Sequence, residues 1–344
     1  MAGGRWNASY DSVLNVLPTY RGAEWRRLTL TRAGPILPCP LHLELGMGIS
    51  VYPVTLAFAA EVGDIDLSQP LDAANVEAVK QAFWTYSVLV FPDQHLTVSQ
   101  HLAFVRYFGP HETTIAAYRG DEALRLPAEI ADVSNIAPDE KIWGRESRVR
   151  MYQLGNRLWH TDSSFKRLPA LASMLYARSI APIGGHTEFA DCRAAYDALS
   201  QAMQRRITGL VAEHSIFNSR ARMGFTDFSD HERRVLPPVP QVLARTIPQN
   251  GRRSIYLASH IGRIFGLSDA EAKSLVDELL AHTTQRQFVY THRWRLHDLV
   301  MWDNRCTMHR GTDFDDLRWR RDVQRATVSD IAPTCEQEGI QVAA

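Results

Sequence analysis

A histidine and an aspartate stand one residue apart in Leu158-Trp159-His160-Thr161-Asp162-Ser163-Ser164-Phe165. If residues 158–165 are extended, side chains two apart share a face and their Cα atoms lie roughly 6–7 Å apart. An imidazole and a carboxylate so placed reach one metal ion together. Far downstream, Met301-Trp302-Asp303-Asn304-Arg305-Cys306-Thr307-Met308-His309 brings a second imidazole after an apolar, strand-like approach. Two histidines and one carboxylate leave three positions open on an octahedral ion, the ligand set of non-haem Fe(II) oxygenases. His160, Asp162 and His309 are therefore the candidate catalytic metal ligands. The same donors accept Zn(II), Co(II) or Mn(II), so ligand type alone does not select the ion. By itself His-x-Asp is a weak signal in a chain with 13 histidines.

Two further stretches strengthen it. Gly184-Gly185-His186-Thr187 follows the His-x-Asp, and Arg320-Arg321-Asp322-Val323-Gln324-Arg325-Ala326-Thr327 follows His309. Arg321 and Arg325 are separated by an even offset, which on a strand returns to the same face, so two guanidinium forks can point inward. Segments 158–165, 184–199, 288–311 and 320–327 together resemble the TauD/TfdA family of Fe(II)- and 2-oxoglutarate-dependent dioxygenases. Within it they resemble the members that act on aryloxyalkanoates, and weaker similarity runs from about residue 47 to 330. The resemblance implies Fe(II) on His160, Asp162 and His309, with 2-oxoglutarate and O2 as co-substrates and ascorbate as a stimulant. It puts Thr187 and Arg321 on the far carboxylate of 2-oxoglutarate. It puts Arg325 on the anionic head of a small organic substrate, with Asn156 assisting.

The reaction so implied hydroxylates an aryloxyalkanoate beside its ether oxygen, releasing a phenol and glyoxylate (or a related 2-oxo acid) with succinate and CO2. A taurine-type sulfonate or a sulfate ester, gripped by the same Arg325, is the alternative within the family. A Zn(II) hydrolase or a non-catalytic small-molecule-binding barrel would leave Thr187 and Arg321 unexplained. The chain departs from the family pattern twice. His186 stands where an aspartate is usual, and the interval from His309 to Arg321 is one residue longer. The second departure makes the turn at 312–318 decide whether Arg320 or Arg321 faces the co-substrate. His214 and His260 read as structural histidines, and Cys306 as core.

The elements that must position these residues are mostly short. A helix is expected over 71–86, with Val76, Val79 and Phe83 on its core face, and a buried strand over 87–91 stopped by Pro92. Thr97 with Gln100, and Ser268 with Glu271, read as capping boxes opening further helices. Residues 109–157 are rich in charge and turn formers, interrupted by a strand-like 131–136, and read as a lid, with pocket residues at 113–118. Many short strands follow: 173–177, 186–190, 210–215, 299–302, 307–310 and 323–328. The expected fold is mainly β with flanking helices, a double-stranded β-helix of the cupin-like jelly-roll kind. Residues 1–46, broken by Pro and Gly, read as an accessory extension, 47–330 as the dioxygenase domain and 331–344 as a tail.

Composition bounds the partners. The chain has 344 residues, 45% hydrophobic, with 38 basic and 38 acidic side chains. A balanced charge offers no global field for nucleic acid or an anionic membrane, and no run of eighteen apolar residues suggests a membrane span. Four scattered cysteines without a CxxC pair fit a reducing, cytoplasmic setting. A homo-oligomer is compatible with all of this.

Overall fold

Four apolar residues ahead of Pro92 form the strand Val88–Phe91, buried on both faces. It pairs parallel with Ala59–Gly63 and antiparallel with Leu299–Asp303. Around it runs an eight-stranded sheet in the order Leu43–Glu44, Ser50–Pro53, Ala59–Gly63, Val88–Phe91, Leu299–Asp303, Ala170–Ser179, Asp322–Ser329 and Ile130–Asp132. The computed structural model describes residues 43–44, 48–119 and 124–341. The 1–46 extension therefore lies outside the described residues, apart from Leu43 and Glu44, which pair with Val51 and Ser50. The described residues belong to one compact unit, residues 40–344.

Val88–Phe91 is apolar throughout because both faces of the sheet are covered there. Leu89 and Phe91 join Val79, Phe83 and Phe104 in one core, under the helices Ala73–Tyr86 and Val98–Val105. Val88 and Val90 point the other way, into a core shared with Phe189, Trp294 and Trp302. Caps fix the helices as their sequences suggest. Asp72 accepts from the Asn75 amide at 2.7 Å, and Thr97 with Gln100 completes a capping box.

Opposite that second face lies a three-stranded sheet of Val289–His292, Thr187–Asp191 and Thr307–Gly311. Two sheets face to face with helices outside give the expected mainly-β double-stranded β-helix. Smaller sheets join Ile261–Ile264, Val211–His214 and Val239–Val242, and Ala244–Thr246 with Arg253–Ile255. At the C-terminal end, Thr334 donates to Gln241 at 2.6 Å and accepts from the Val242 amide.

Two local expectations change. Residues 158–165 are not an extended run: only His160 makes a β-bridge, and a turn begins at Asp162, with Ser163 at φ 52°. The Lys166 amide closes that turn on the Ser163 carbonyl at 2.9 Å. Within 109–157, the expected strand shortens to Ile130–Asp132, and helices form at Ile115–Arg119 and Arg148–Gln153. Those helices, and Ile216–Arg222, are too short to show a periodic stripe. No helix among the described residues is long and apolar enough to cross a membrane, and Cys192, Cys306 and Cys335 are free and buried.

Candidate active site

His160 and His309 are joined through their backbones. Each amide donates to the other's carbonyl, at 3.0 and 2.8 Å. The pairing sets the imidazoles side by side, ring centroids 4.2 Å apart. Asp162, leaving the turn, brings Oδ1 to 3.9 Å from His160 Nε2 and Oδ2 to 3.7 Å from His309 Nε2. The three ligand atoms lie within 4.8 Å of one another and all three residues are buried. The turn thus achieves by a different route the convergence expected of a strand.

Electrostatics leave these groups in their metal-binding forms. Burial pushes the His160 imidazole down to about 4, against the upward pull of Asp162, and pushes His309 well below its ordinary value. Burial works to raise the Asp162 carboxyl. The positive charge of Arg325 and the two imidazoles outweigh it and bring the group down to about 2. His160 Nδ1 lies 2.7 Å from the Leu158 carbonyl. A proton held there leaves the Nε2 lone pair facing Asp162 and His309. His309 is steadied by packing instead, its ring 4.7 Å from that of Trp302 and stacked on Phe189. A donor set of two imidazoles and one carboxylate fits a divalent transition metal with open positions.

Two cavities meet at these ligands. One, of about 100 Å³, reaches from His309 to Thr187, Gly185, Phe314 and Arg321. Arg321 is buried, and among the described residues it pairs with no carboxylate. Its Nε donates to the Gly185 carbonyl at 3.3 Å. Burial lowers its guanidinium to about 10, so it stays cationic at neutral pH. An unpaired buried cation at the end of a cavity calls for an anion. Gly184 and Gly185 both take positive φ, and a Cβ on Gly184 would meet the Asp313 carbonyl at 2.2 Å. Only glycine allows that approach. Thr187 accepts from Trp294 Nε1 at 3.0 Å, which leaves its own hydroxyl proton to donate.

The choice between the two adjacent arginines falls on the turn before the last strand. Arg320 points out and pairs with Glu140 at 2.9 Å, whereas Arg321 points in. Asn135 holds that register. Its Oδ1 accepts from the Arg321 amide at 2.8 Å, and its Nδ2 donates to the Asp316 and Trp319 carbonyls. Sequence reasoning missed Asn135 and Trp294. Only the need of a buried indole N–H for an acceptor could have flagged the latter.

The second cavity, of about 160 Å³, opens on the other side of His160 and Asp162. Its walls combine apolar side chains, Ile115, Val149, Tyr152, Phe165 and Ile216 among them, with charged ones such as Arg125, Lys166 and Arg220, and Thr114 and Ala116 come from the expected pocket stretch 113–118. Arg325 and Asn156 border both cavities. Arg325 Nη1 donates to Asp162 Oδ1, and its Nε has no partner. Asn156 Oδ1 accepts from Arg220 at 3.1 Å. His260 is buried at the cavity wall with Nδ1 bound to Ser219, and His214 lies deeper against Ser164. The His186 amide donates to Thr312 Oγ1 at 2.9 Å, and its half-buried imidazole is lowered by burial and by Arg293.

Residues 50–327 match the family described as taurine catabolism dioxygenase TauD, TfdA family. The chain is 44% identical over 286 residues to the alpha-ketoglutarate-dependent 2,4-dichlorophenoxyacetate dioxygenase of Cupriavidus pinatubonensis, covering 83% of this chain and 99% of that protein. It is 34% identical to the (S)-phenoxypropionate/alpha-ketoglutarate-dioxygenase of Sphingobium herbicidovorans, covering 77% of this chain and 90% of the relative. Among solved structures, AAD-2 in complex with Mn(II) and N-oxalylglycine superposes with a TM-score of 0.76 at 44% identity, over 84% of this chain and 99% of that one. With a family match across most of its length, relatives aligned nearly end to end and a buried cluster of two histidines and an aspartate at its centre, the chain belongs to the TauD/TfdA family of Fe(II)- and 2-oxoglutarate-dependent dioxygenases.

Proposed function

We propose that this dioxygenase hydroxylates an aryloxyalkanoate at the carbon between its ether oxygen and its carboxylate. His160, Asp162 and His309 would hold Fe(II), and Thr187 with Arg321 the far carboxylate of 2-oxoglutarate. When bound, the iron with 2-oxoglutarate and O2 supplies the oxidation: one oxygen atom goes into succinate as CO2 leaves, the other into the substrate. The protein's contribution is placement and exclusion of water.

The observation that carries this reading is the pair of unlike cavities meeting at the ligand cluster. The smaller ends in a buried cation, Arg321, with a hydroxyl donor, Thr187, beside it, a fit for a carboxylate. The larger has an apolar stretch formed by Ile115, Val149, Tyr152, Phe165 and Ile216 and carries Arg325 next to Asp162, a fit for an aryl group with an anionic head. In this reading the unused donors of the Arg325 fork, with Asn156 near, grip the substrate carboxylate and set its neighbouring C–H bond toward the metal. The hydroxylated carbon is then a hemiacetal. It collapses by breaking its C–O bond to the ether oxygen, which takes up the proton of the new hydroxyl, giving a phenol and, from a phenoxyacetate, glyoxylate. Buried free thiols and balanced charge support a cytoplasmic protein that binds small molecules and not nucleic acid.

The test is a panel of phenoxyacetates, 2-phenoxypropionates, sulfonates and sulfate esters with Fe(II), ascorbate and 2-oxoglutarate. Succinate and phenol should appear in equal amounts for the aryloxyalkanoates. Turnover confined to sulfonates or sulfate esters would move the assignment to the taurine-type chemistry. Product formed under strict anaerobiosis would refute an oxygenase altogether.

A further inference from the structure

A chain of buried polar groups lies behind Asp162 and has no part in the reaction as described. Ser173 Oγ donates to Asp162 Oδ2 at 2.7 Å, and Asn304 Nδ2 donates to Ser173 Oγ at 2.9 Å. Asn304 Oδ1 accepts twice, from the Asp162 amide at 3.2 Å and from Trp302 Nε1 at 3.0 Å. Ser173, Asn304 and Trp302 have no exposed surface.

The direction of this chain follows from its ends. Reversing the Asn304 amide would set its NH2 against two N–H donors, so the amide has one workable orientation. Its nitrogen then faces Ser173, which must accept there and send its single proton elsewhere. The neighbouring acceptor is the Asp162 carboxylate. Thr327 Oγ1, at 3.3 Å from Ser173 Oγ, is left to donate. Ser173 is anchored in register between Trp302 and Thr327 on adjacent strands of the large sheet. The carboxylate is thereby tied to one sheet, while the two histidines are tied to each other across a strand of the other.

We propose that Ser173 and Asn304 are positioning residues for the metal-binding carboxylate. The inference rests on reading Asp162 as a metal ligand. The torsion that turns a carboxylate about its Cβ–Cγ bond has a broad, soft profile, and an aspartate at the start of a turn has no strand to steady it. Ser173 fixes that rotation from one oxygen, and Asn304 fixes the backbone from which the side chain springs. Together they determine which lone pair faces the ion.

Co(II) titration, read by visible absorption, separates this role from folding. Ser173→Ala removes the donor. Asn304→Asp keeps the shape but turns an acceptor toward Ser173, drawing its proton away from Asp162. Both should weaken Co(II) binding about ten- to a hundredfold and alter the absorption bands, with the chelator-treated proteins still melting cooperatively. Ser173→Thr, which keeps the hydroxyl, should bind within a few-fold of the wild type. Unchanged Co(II) affinity in a folded Ser173→Ala protein overturns the inference; if that variant does not fold, unchanged affinity in Asn304→Asp overturns it. Co(II) binding that survives Asp162→Ala at wild-type strength refutes the ligand assignment itself, and this inference with it.

Discussion

The two cavities at the centre of this protein are built by different means. The one ending at Arg321 takes its main polar groups from the sheets and is closed by turns: Thr187 and His309 lie on neighbouring strands of the small sheet, Arg321 immediately precedes the strand Asp322–Ser329, and residues 133–135 and 312–316 complete the wall. The other is walled by short helices and turns from residues 109–157 and by Ile216–Arg222, drawn together by ion pairs. Arg125, on that wall, binds Asp132 and Asp322, while Arg150 grips Asp316 with two donors on the wall of the Arg321 cavity. A strand fixes side-chain direction by its register, so chemistry common to a whole family can sit there. A wall of loops can be repapered without touching that register, and substrate choice belongs on such a wall.

That contrast can be broken, and the largest effect should come at the shared boundary. Replacing Asp162 or His309 by alanine should abolish turnover and cost more metal affinity than the roughly hundredfold typical of an outer partner. Metal titration checks this, and full turnover by Asp162→Ala would end the assignment.

The next effect separates the cavities. Arg321→Ala should raise KM for 2-oxoglutarate about ten- to a hundredfold and disturb the organic substrate less. Arg325→Ala should do the reverse, since each loses a charge-assisted contact of about 1.5–3 kcal/mol. Lysine at either position should restore only part, because it lacks the planar fork. Identical defects toward both ligands would mean that the cavities do not divide the work.

A milder effect is expected where the loop segment reaches across to the strand side. Asn135→Ala should cost about 1–3 kcal/mol of stability by stranding the Arg321 amide and two carbonyls. It should raise KM for 2-oxoglutarate several-fold although Asn135 need not touch it. Thermal melting and a 2-oxoglutarate titration read the two parts separately, and an unchanged KM would detach Asn135 from the site. The smallest effect should be Arg320→Ala. Its partner Glu140 is exposed, so the loss should stay within about 1 kcal/mol and leave KM for 2-oxoglutarate unchanged. A large rise in KM there would reverse the register read between the two arginines.

Most of the strand side was legible in the amino-acid sequence. His160, Asp162 and His309 stand out by donor type, Thr187, Arg321 and Arg325 by the family motifs they sit in, and the apolar run 88–91 announces a buried strand. What was hidden depends on partnership between distant residues. Trp294 reads as one more core aromatic until its N–H is seen to meet Thr187. Ser173 lies unmarked within an apolar strand, and Asn135 within a charged loop. The turn at Asp162 was misread as a strand because a β-bridge of one residue carries no periodicity. The short helices around Tyr152 and Arg220 escaped for the same reason.

The reciprocal backbone pairing of His160 with His309 has a consequence for how the protein is made. On the ribosome, the first histidine and the aspartate emerge long before the strand Thr307–Gly311 exists to receive them. Until then His160 and Asp162 make a two-ligand fragment, too poor a chelator to hold an ion selectively. The third ligand arrives by strand pairing, near the end of synthesis, and the same event closes the small sheet. With His160, Asp162 and His309 as the ligands, metal loading would be postponed to the nearly finished fold, and a half-made chain would have little to offer a stray ion.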